Sequence, residues 1–285
     1  MTELKFPAGS APVGARRIAS GPALHLVLIA LLCGGAATPS PEAEPVQVYA
    51  AGSLREALTT IAREHESRTG QKVSLTFGPS GVMRERIEQG APAQVFASAD
   101  TDHPQRLAQS GGWQAPVVFV RNQLCALASD KISVTPDTLL ATLLKPDVRV
   151  GTSTPKADPG GDYAWAMFRR ADAVQPGAYA ALDAKALKLV GGPNSPQPPV
   201  GRGASAWMMD QGKADVFMSY CTSAMAAQKE VPRLRVVQLP ANLQVSAAYG
   251  LTVREGATPA ARAFAQALRE PAAQRVFGEL GFRLP

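Results

Sequence analysis

Val46-Gln47-Val48-Tyr49-Ala50-Ala51-Gly52-Ser53-Leu54 decides how the rest of the chain is read. Residues 46–50 have the apolar, β-branched character of a short strand, and Leu54, Leu58 and Ile61 then recur at helical spacing as far as Thr69. Ser53 stands where an N-cap is wanted, with Glu56 three places on to complete a capping box, and Gly70 stops the helix. The unit repeats at once. Residues 73–77 form a second strand, Gly78-Pro79-Ser80-Gly81 a loop, and residues 82–88 a helix ended by Gly90. Strand, glycine-bearing loop and helix in succession predict an α/β fold with largely parallel strands.

The same alternation continues outward. Strands are predicted at 94–98, 117–120, 124–128, 148–151, 216–220 and 236–239, and helices at 104–109, 136–144, 163–170, 205–211, 259–268 and 271–280. Two long loops, 151–161 and 191–203, are rich in Gly, Pro, Ser and Thr, and no repeat of solenoid period is visible. Composition agrees with a folded chain: 285 residues, 46% hydrophobic and 18% charged, exclude disorder and collagen-like repeats. The formal charge of +6 includes Lys5, Arg16 and Arg17 near the N-terminus, and no basic run exceeds a pair such as Arg169-Arg170, so nucleic acid is not an expected partner. Three cysteines without a close pair and three scattered histidines argue against a zinc site.

The N-terminus speaks to compartment. Arg16-Arg17 precede the apolar run 23–32, too short to span a bilayer comfortably, and small residues Gly34-Gly35-Ala36-Ala37 follow. That layout predicts a signal peptide over 1–37, cleaved near Ala37, and a periplasmic or extracytoplasmic location; an uncleaved anchor is the alternative. Residues 38–45 read as a proline-broken spacer.

Loops that end a strand and open a helix are where an open α/β sheet places its ligand, because the helix start presents unpaired N–H groups and partial positive charge. Ser53, Ser80, Gly160 and Ala204 stand at such places, and together they would make an anion trap. Singly, Ser53 is also explained as a cap and Ser80 as a turn residue.

Five strings, in order and spacing, resemble the periplasmic molybdate-binding proteins of ABC importers: 48–54 (VYAAGSL), 77–81 (FGPSG), 87–100 (IEQGAPAQVFASAD), 158–163 (DPGGDY) and 216–220 (VFMSY). The resemblance spans about 46–284. It implies a two-lobed type II periplasmic binding protein with its ligand cleft between lobes, lobe one being 46–121 plus 248–285 and lobe two 122–247. It also implies hydroxyl donors at Ser53, Ser80 and Tyr220, backbone donors at Gly160, Gly203 and Ala204, molybdate or tungstate as ligand, no cofactor, and a membrane permease as partner of a monomeric receptor. The chemistry is consistent. A fully deprotonated tetrahedral dianion carries acceptors only, so a selective cavity offers donors only. Protonated phosphate wants an acceptor there, whereas sulfate, also a bare dianion, remains the alternative ligand.

The chain departs from that pattern at its carboxylates. Related archaeal tungstate/molybdate binders complete six-fold metal coordination with two carboxylates, a role that falls on Asp158 and Asp210 here; the alternative has Asp158 stabilising the Pro159-Gly160 turn and Asp210 on a solvated helix face. Gln94 replaces a usual acidic residue. Cys125 and Cys221 either pair, as export allows, or stay as buried thiols. Arg202 faces either the anion or solvent. Two other classes are disfavoured: a hydrolase, because no Gly-x-Ser-x-Gly elbow occurs, His65 falls on a polar helix side and His103 in a loop; and a regulator's sensing domain, because no DNA-reading module accompanies it.

Overall fold

The computed structural model describes residues 44–285; the expected signal peptide, Cys33 and all but the last two spacer residues lie outside the described residues. Residues 42–285 cluster as one compact unit.

The two units read first from the sequence form side by side. Strand β1 (Val46–Ala51) pairs in parallel with β2 (Val73–Gly78) and with β3 (Val95–Ser98). Helix α1 (Arg55–Thr69) ends at Gly70, whose left-handed φ of 72° lets its N–H return to Glu66 O. Helix α2 (Ser80–Glu88) follows β2, and α3 (Asp102–Ser110) follows β3.

The two strands expected at 117–120 and 124–128 are one twelve-residue strand, β4 (Val117–Ala128). Its first part pairs antiparallel with β9 (Ser246–Val253), which in turn pairs with β3. Its second part pairs with β7 (Val216–Tyr220) and β8 (Arg235–Gln238). Strand β5 (Val150–Ser153) then joins β7 to β6 (Leu187–Val190), both in parallel. Among the described residues the strand order is therefore β2-β1-β3-β9-β4-β7-β5-β6, with β8 on β4.

Helices cover both faces. The remaining ones are α4 (Leu139–Leu144), α5 (Pro159–Val174), α6 (Ala178–Lys185), α7 (Ala204–Asp210), α8 (Cys221–Glu230), α9 (Pro259–Ala267) and α10 (Pro271–Glu279). Strands covered on both sides cannot show polar alternation, and β3, β5 and β7 are buried at every position. Beyond the β4 midpoint, period-two geometry splits the packing: Leu124, Ala126 and Ala128 join a core with Leu143, Trp165 and Phe168, while Cys125 and Leu127 join another with Met208 and Ala224. A separate core gathers Val48, Ala50, Leu58, Phe264 and Tyr249 around the other end of the sheet. Apolar cores at both ends of one continuous strand are what a two-lobed α/β protein requires.

The cysteines pair: Cys125 on β4 and Cys221 at the start of α8 form a disulfide with Cα atoms 4.8 Å apart. Gln94, where an acidic residue is usual, still makes a local hydrogen bond: its Oε1 accepts from Gln47 N at 3.1 Å. An uncharged amide oxygen serves as well as a carboxylate for one backbone donor.

Candidate functional site

One cavity of about 680 Å³ lies at the ends of these strands, and Ser53, Ser80, Asp158, Gly160, Tyr220 and Thr222 are among its lining residues, with Gly203 and Ala204 on another wall. Each arrives by a local reason.

Ser53 does not cap α1. The residues Gly52–Leu54 form a single 3-10 turn, so Leu54 takes the N-cap position with no side-chain cap bond and the expected capping box is absent. Inside that turn the serine hydroxyl meets β9, its Oγ lying 2.9 Å from Tyr249 Oη. Ser80 is buried as the first residue of α2, and its Oγ accepts from Ala99 N at 3.1 Å, which leaves its own proton to donate elsewhere. Tyr220 ends β7 and precedes α8. Its ring packs edge-on against Tyr163 and Tyr249, its hydroxyl reaches Ala99 O only at 3.5 Å, and burial drives its pKa well above the ordinary phenol value, so it remains a neutral donor.

The backbone donors divide. Asp158 caps α5, accepting from Gly160 N at 3.0 Å, so the Gly160 amide is engaged within the protein while the residue lines the cavity. Gly203 likewise donates to Glu230 Oε2 at 2.8 Å, whereas Ala204 opens α7 above a cap residue that offers no side-chain bond. A Cβ at 160 would meet Ser153 Oγ at 3.2 Å, a tight contact that the serine side chain would have to ease by a few tenths of an ångström.

The carboxylates do not form a pair. Asp158 lines the cavity, and burial raises its pKa; bonds from Gly160 and Ser153 oppose the rise, and Asp162 and Asp100 add to it. Asp210 is absent from the lining. Its oxygens are held by Arg233 and, at 3.1 Å, by Arg202, which keep its pKa below the ordinary value, so Asp158 stands as a capping carboxylate and Asp210 in a surface ion pair. Arg202 also donates from Nε to Glu230 Oε1 at 2.6 Å, leaving its charge neutralised. Asp162 accepts from Lys156 N at 3.1 Å. The exposed Arg55 stacks 4.5 Å over Phe77 at the cavity margin. No group of three His, Cys, Asp or Glu among the described residues could hold a metal ion.

His65 is buried, not solvated: its ring meets Phe264 edge-on at 5.2 Å. His103 lies inside α3, and burial lowers its pKa to about 4. Neither lines the cavity. Sequence reading overlooked Asn122, Thr222 and Tyr249, which form a hydrogen-bonded set behind Ser53. Asn122 lies in the polar run Arg121-Asn122-Gln123 between the two predicted strands, so nothing in the sequence marked it or Tyr249.

A helix-covered mixed sheet with cores at both of its ends, and a hydroxyl-lined cavity at the strand ends, defines an α/β solute receptor of the type II periplasmic binding class. The chain matches the bacterial extracellular solute-binding protein family over residues 46–283 and belongs to it. Its members bind solutes and are not enzymes. The uncharacterized protein PM1146 of Pasteurella multocida (strain Pm70) is 34% identical over 207 residues, 72% of this chain and 86% of its own length. The molybdate-binding protein ModA of Rhodobacter capsulatus is 28% identical over 76% of this chain and 91% of its own. In architecture the chain is similar to the sulfate-binding protein SubI from Mycobacterium tuberculosis H37Rv, with a TM-score of 0.69, 19% identity, and coverage of 85% and 87%.

Proposed function

We propose that this protein captures a tetrahedral metal-oxo dianion, molybdate or tungstate, outside the cytoplasm and delivers it to the membrane permease of an ABC importer. The observation that carries this reading is the convergence of three neutral hydroxyls, Ser53, Ser80 and Tyr220, on one cavity, where Ser80 accepts from Ala99 N and Ser53 shares a hydrogen bond with Tyr249. A hydroxyl whose lone pair is occupied by an internal donor turns its proton outward, and an acceptor-only dianion is the complementary guest. Ala204 at the start of α7 adds a backbone donor. The likeness to ModA supports the ligand class.

Export by the N-terminal signal peptide and action as a monomer belong to the same proposal. So do the two lobes, 46–121 with 248–285 and 122–247, which the change of partner along β4 between Gln123 and Leu124 supports. Preference of the ligand for a closed arrangement of the lobes shifts the population, and the permease reads the closed shape. A thermal-shift panel of molybdate, tungstate, sulfate and phosphate tests the assignment. A ligand at about one hundred times its dissociation constant stabilises the fold by about 2.7 kcal/mol; molybdate and tungstate are expected to do so and phosphate is not. Stabilisation by sulfate alone would reassign the ligand, and stabilisation by none would remove the proposal.

A further inference from the structure

Behind the cavity wall, Asn122 occupies the middle of β4 with 1% exposure, beside Thr222 and Tyr249. Its amide orientation is fixed, because Oδ1 accepts from Gln123 N at 2.9 Å. Nδ2 therefore faces the other way and donates to Thr222 Oγ1 at 2.8 Å and to Tyr249 Oη at 3.3 Å, which engages both of its hydrogens. Tyr249, fully buried, then accepts through its phenol oxygen and must send its own hydrogen to an acceptor; Ser53 Oγ, 2.9 Å away, is that acceptor. Two hydroxyls stand at the ends of these chains, Ser53 and Thr222, and both line the cavity. Each receives a hydrogen bond from behind, so each is left with a proton to give forward.

We infer that Asn122 is a buried donor hub that turns the hydroxyl protons of both Ser53 and Thr222 into the cavity, which makes Thr222 a further ligand contact and Tyr249 a positioning residue for Ser53. The inference rests on the oxyanion reading and deepens it. A free serine or threonine hydroxyl donates or accepts equally well and does not by itself discriminate between a bare dianion and a protonated one. Held from behind, it presents a donor before the ligand arrives, and hydrogen bonds in series polarise one another in the same direction. Thr222 thus adds a fourth hydroxyl to those of Ser53, Ser80 and Tyr220, and it comes from the residue after the disulfide half Cys221.

The test is calorimetric titration of the purified chain with sodium molybdate, comparing wild type with Thr222→Val, Thr222→Ser, Tyr249→Phe, Ser53→Ala and the Tyr249→Phe/Ser53→Ala double variant. Thr222→Val and Tyr249→Phe are each expected to weaken binding roughly five- to tenfold. Thr222→Ser, which keeps the hydroxyl, restores the wild-type affinity. Tyr249→Phe adds no further loss once Ser53 is alanine, because the phenol acts only through that serine. Wild-type affinity in Thr222→Val, or an equal loss from Tyr249→Phe with and without Ser53, overturns the inference, whatever the variants do to the unfolding temperature. Should Tyr249→Phe fail to fold, the valine and serine variants at 222 still decide the hub's other arm. A wild-type protein that binds neither molybdate, tungstate nor sulfate overturns the oxyanion reading and this one with it, whereas wild-type binding with indifferent variants overturns the hub alone.

Discussion

Ser80 and Asp158 face the same cavity with opposite chemistry. Ser80→Ala removes a donor from a buried wall and is expected to weaken molybdate binding by about 1–3 kcal/mol in calorimetric titration; unchanged affinity would show that its hydroxyl serves only Ala99. Asp158→Asn keeps a capping side chain for α5 while deleting a carboxylate beside the cavity. Removing like charge from the neighbourhood of a dianion is expected to tighten binding; a loss would revive metal ligation by this residue. The same variant has a signature in stability. Burial raises the Asp158 pKa from 3.8, so the folded state binds its proton more tightly than the unfolded chain does. Its stabilising effect is complete below 3.8 and is lost as pH rises through the raised folded value. Wild type and Asp158→Asn should therefore diverge as pH rises from 3.8 through the raised folded value, the variant becoming relatively more stable in chemical denaturation, and the difference should stay constant above it. His103 acts in the other sense: with its folded pKa at about 4 against 6.5, it contributes stability above 6.5 that is lost on acidification toward 4. Because both proteins contain it, the comparison cancels its effect.

At the scale of elements, the cavity wall depends on how β4, β7 and α8 are joined. The disulfide ties β4 to the first residue of α8, directly after Tyr220, across a sequence separation of 96. A cross-link closing so long a loop restricts the unfolded chain, and its removal by Cys125→Ala/Cys221→Ala is expected to cost about 2–5 kcal/mol of unfolding free energy in a denaturant titration. Equal stability of the reduced and oxidised proteins would place the constraint in packing alone. The switch from β7 to α8 at Tyr220 also sets the protonation state of its phenol. The strand is buried at every position, so its last side chain enters the cavity already desolvated and stays protonated.

For the whole molecule, one close contact joins segments that the proposed lobes divide between them. Gly81 N donates to Ala157 O at 2.9 Å, and a Cβ at 81 would fall 2.7 Å from that oxygen and 2.8 Å from Lys156 O. Both are backbone atoms, and Lys156 holds a left-handed φ of 69°, which leaves the loop little room to withdraw. Gly81→Ala is expected to cost about 1–3 kcal/mol through overpacking. If closure of the lobes is what the ligand selects, the loss appears in molybdate affinity and in the ligand-induced fall of the radius of gyration by solution scattering. A variant that binds and compacts like wild type would show that closure does not pass through this contact.

The amino-acid sequence by itself determined the units that are local. Strand β1, helix α1 and its stop at Gly70, strand β2 and helix α2 were legible because periodicity, small residues and glycine stops act within a few positions. It also placed Ser53, Ser80, Gly160, Gly203, Ala204 and Tyr220 at element boundaries, all of which the fold brings to one cavity. Beyond reach were the continuity of β4, the strand β9, and the helices α6 and α8, where burial on both faces or a short element erased the pattern. Only the tertiary structure decided what each polar group does there: which amides Asp158 and Glu230 engage, where Asp210 finds its arginines, and that Asn122 donates to Thr222 and Tyr249 behind the cavity. The reason is physical. A propensity belongs to neighbours in the chain, whereas a hydrogen bond's direction is set by partners that, for Ser53 and Tyr249, stand 196 residues apart and meet only when the sheet has formed.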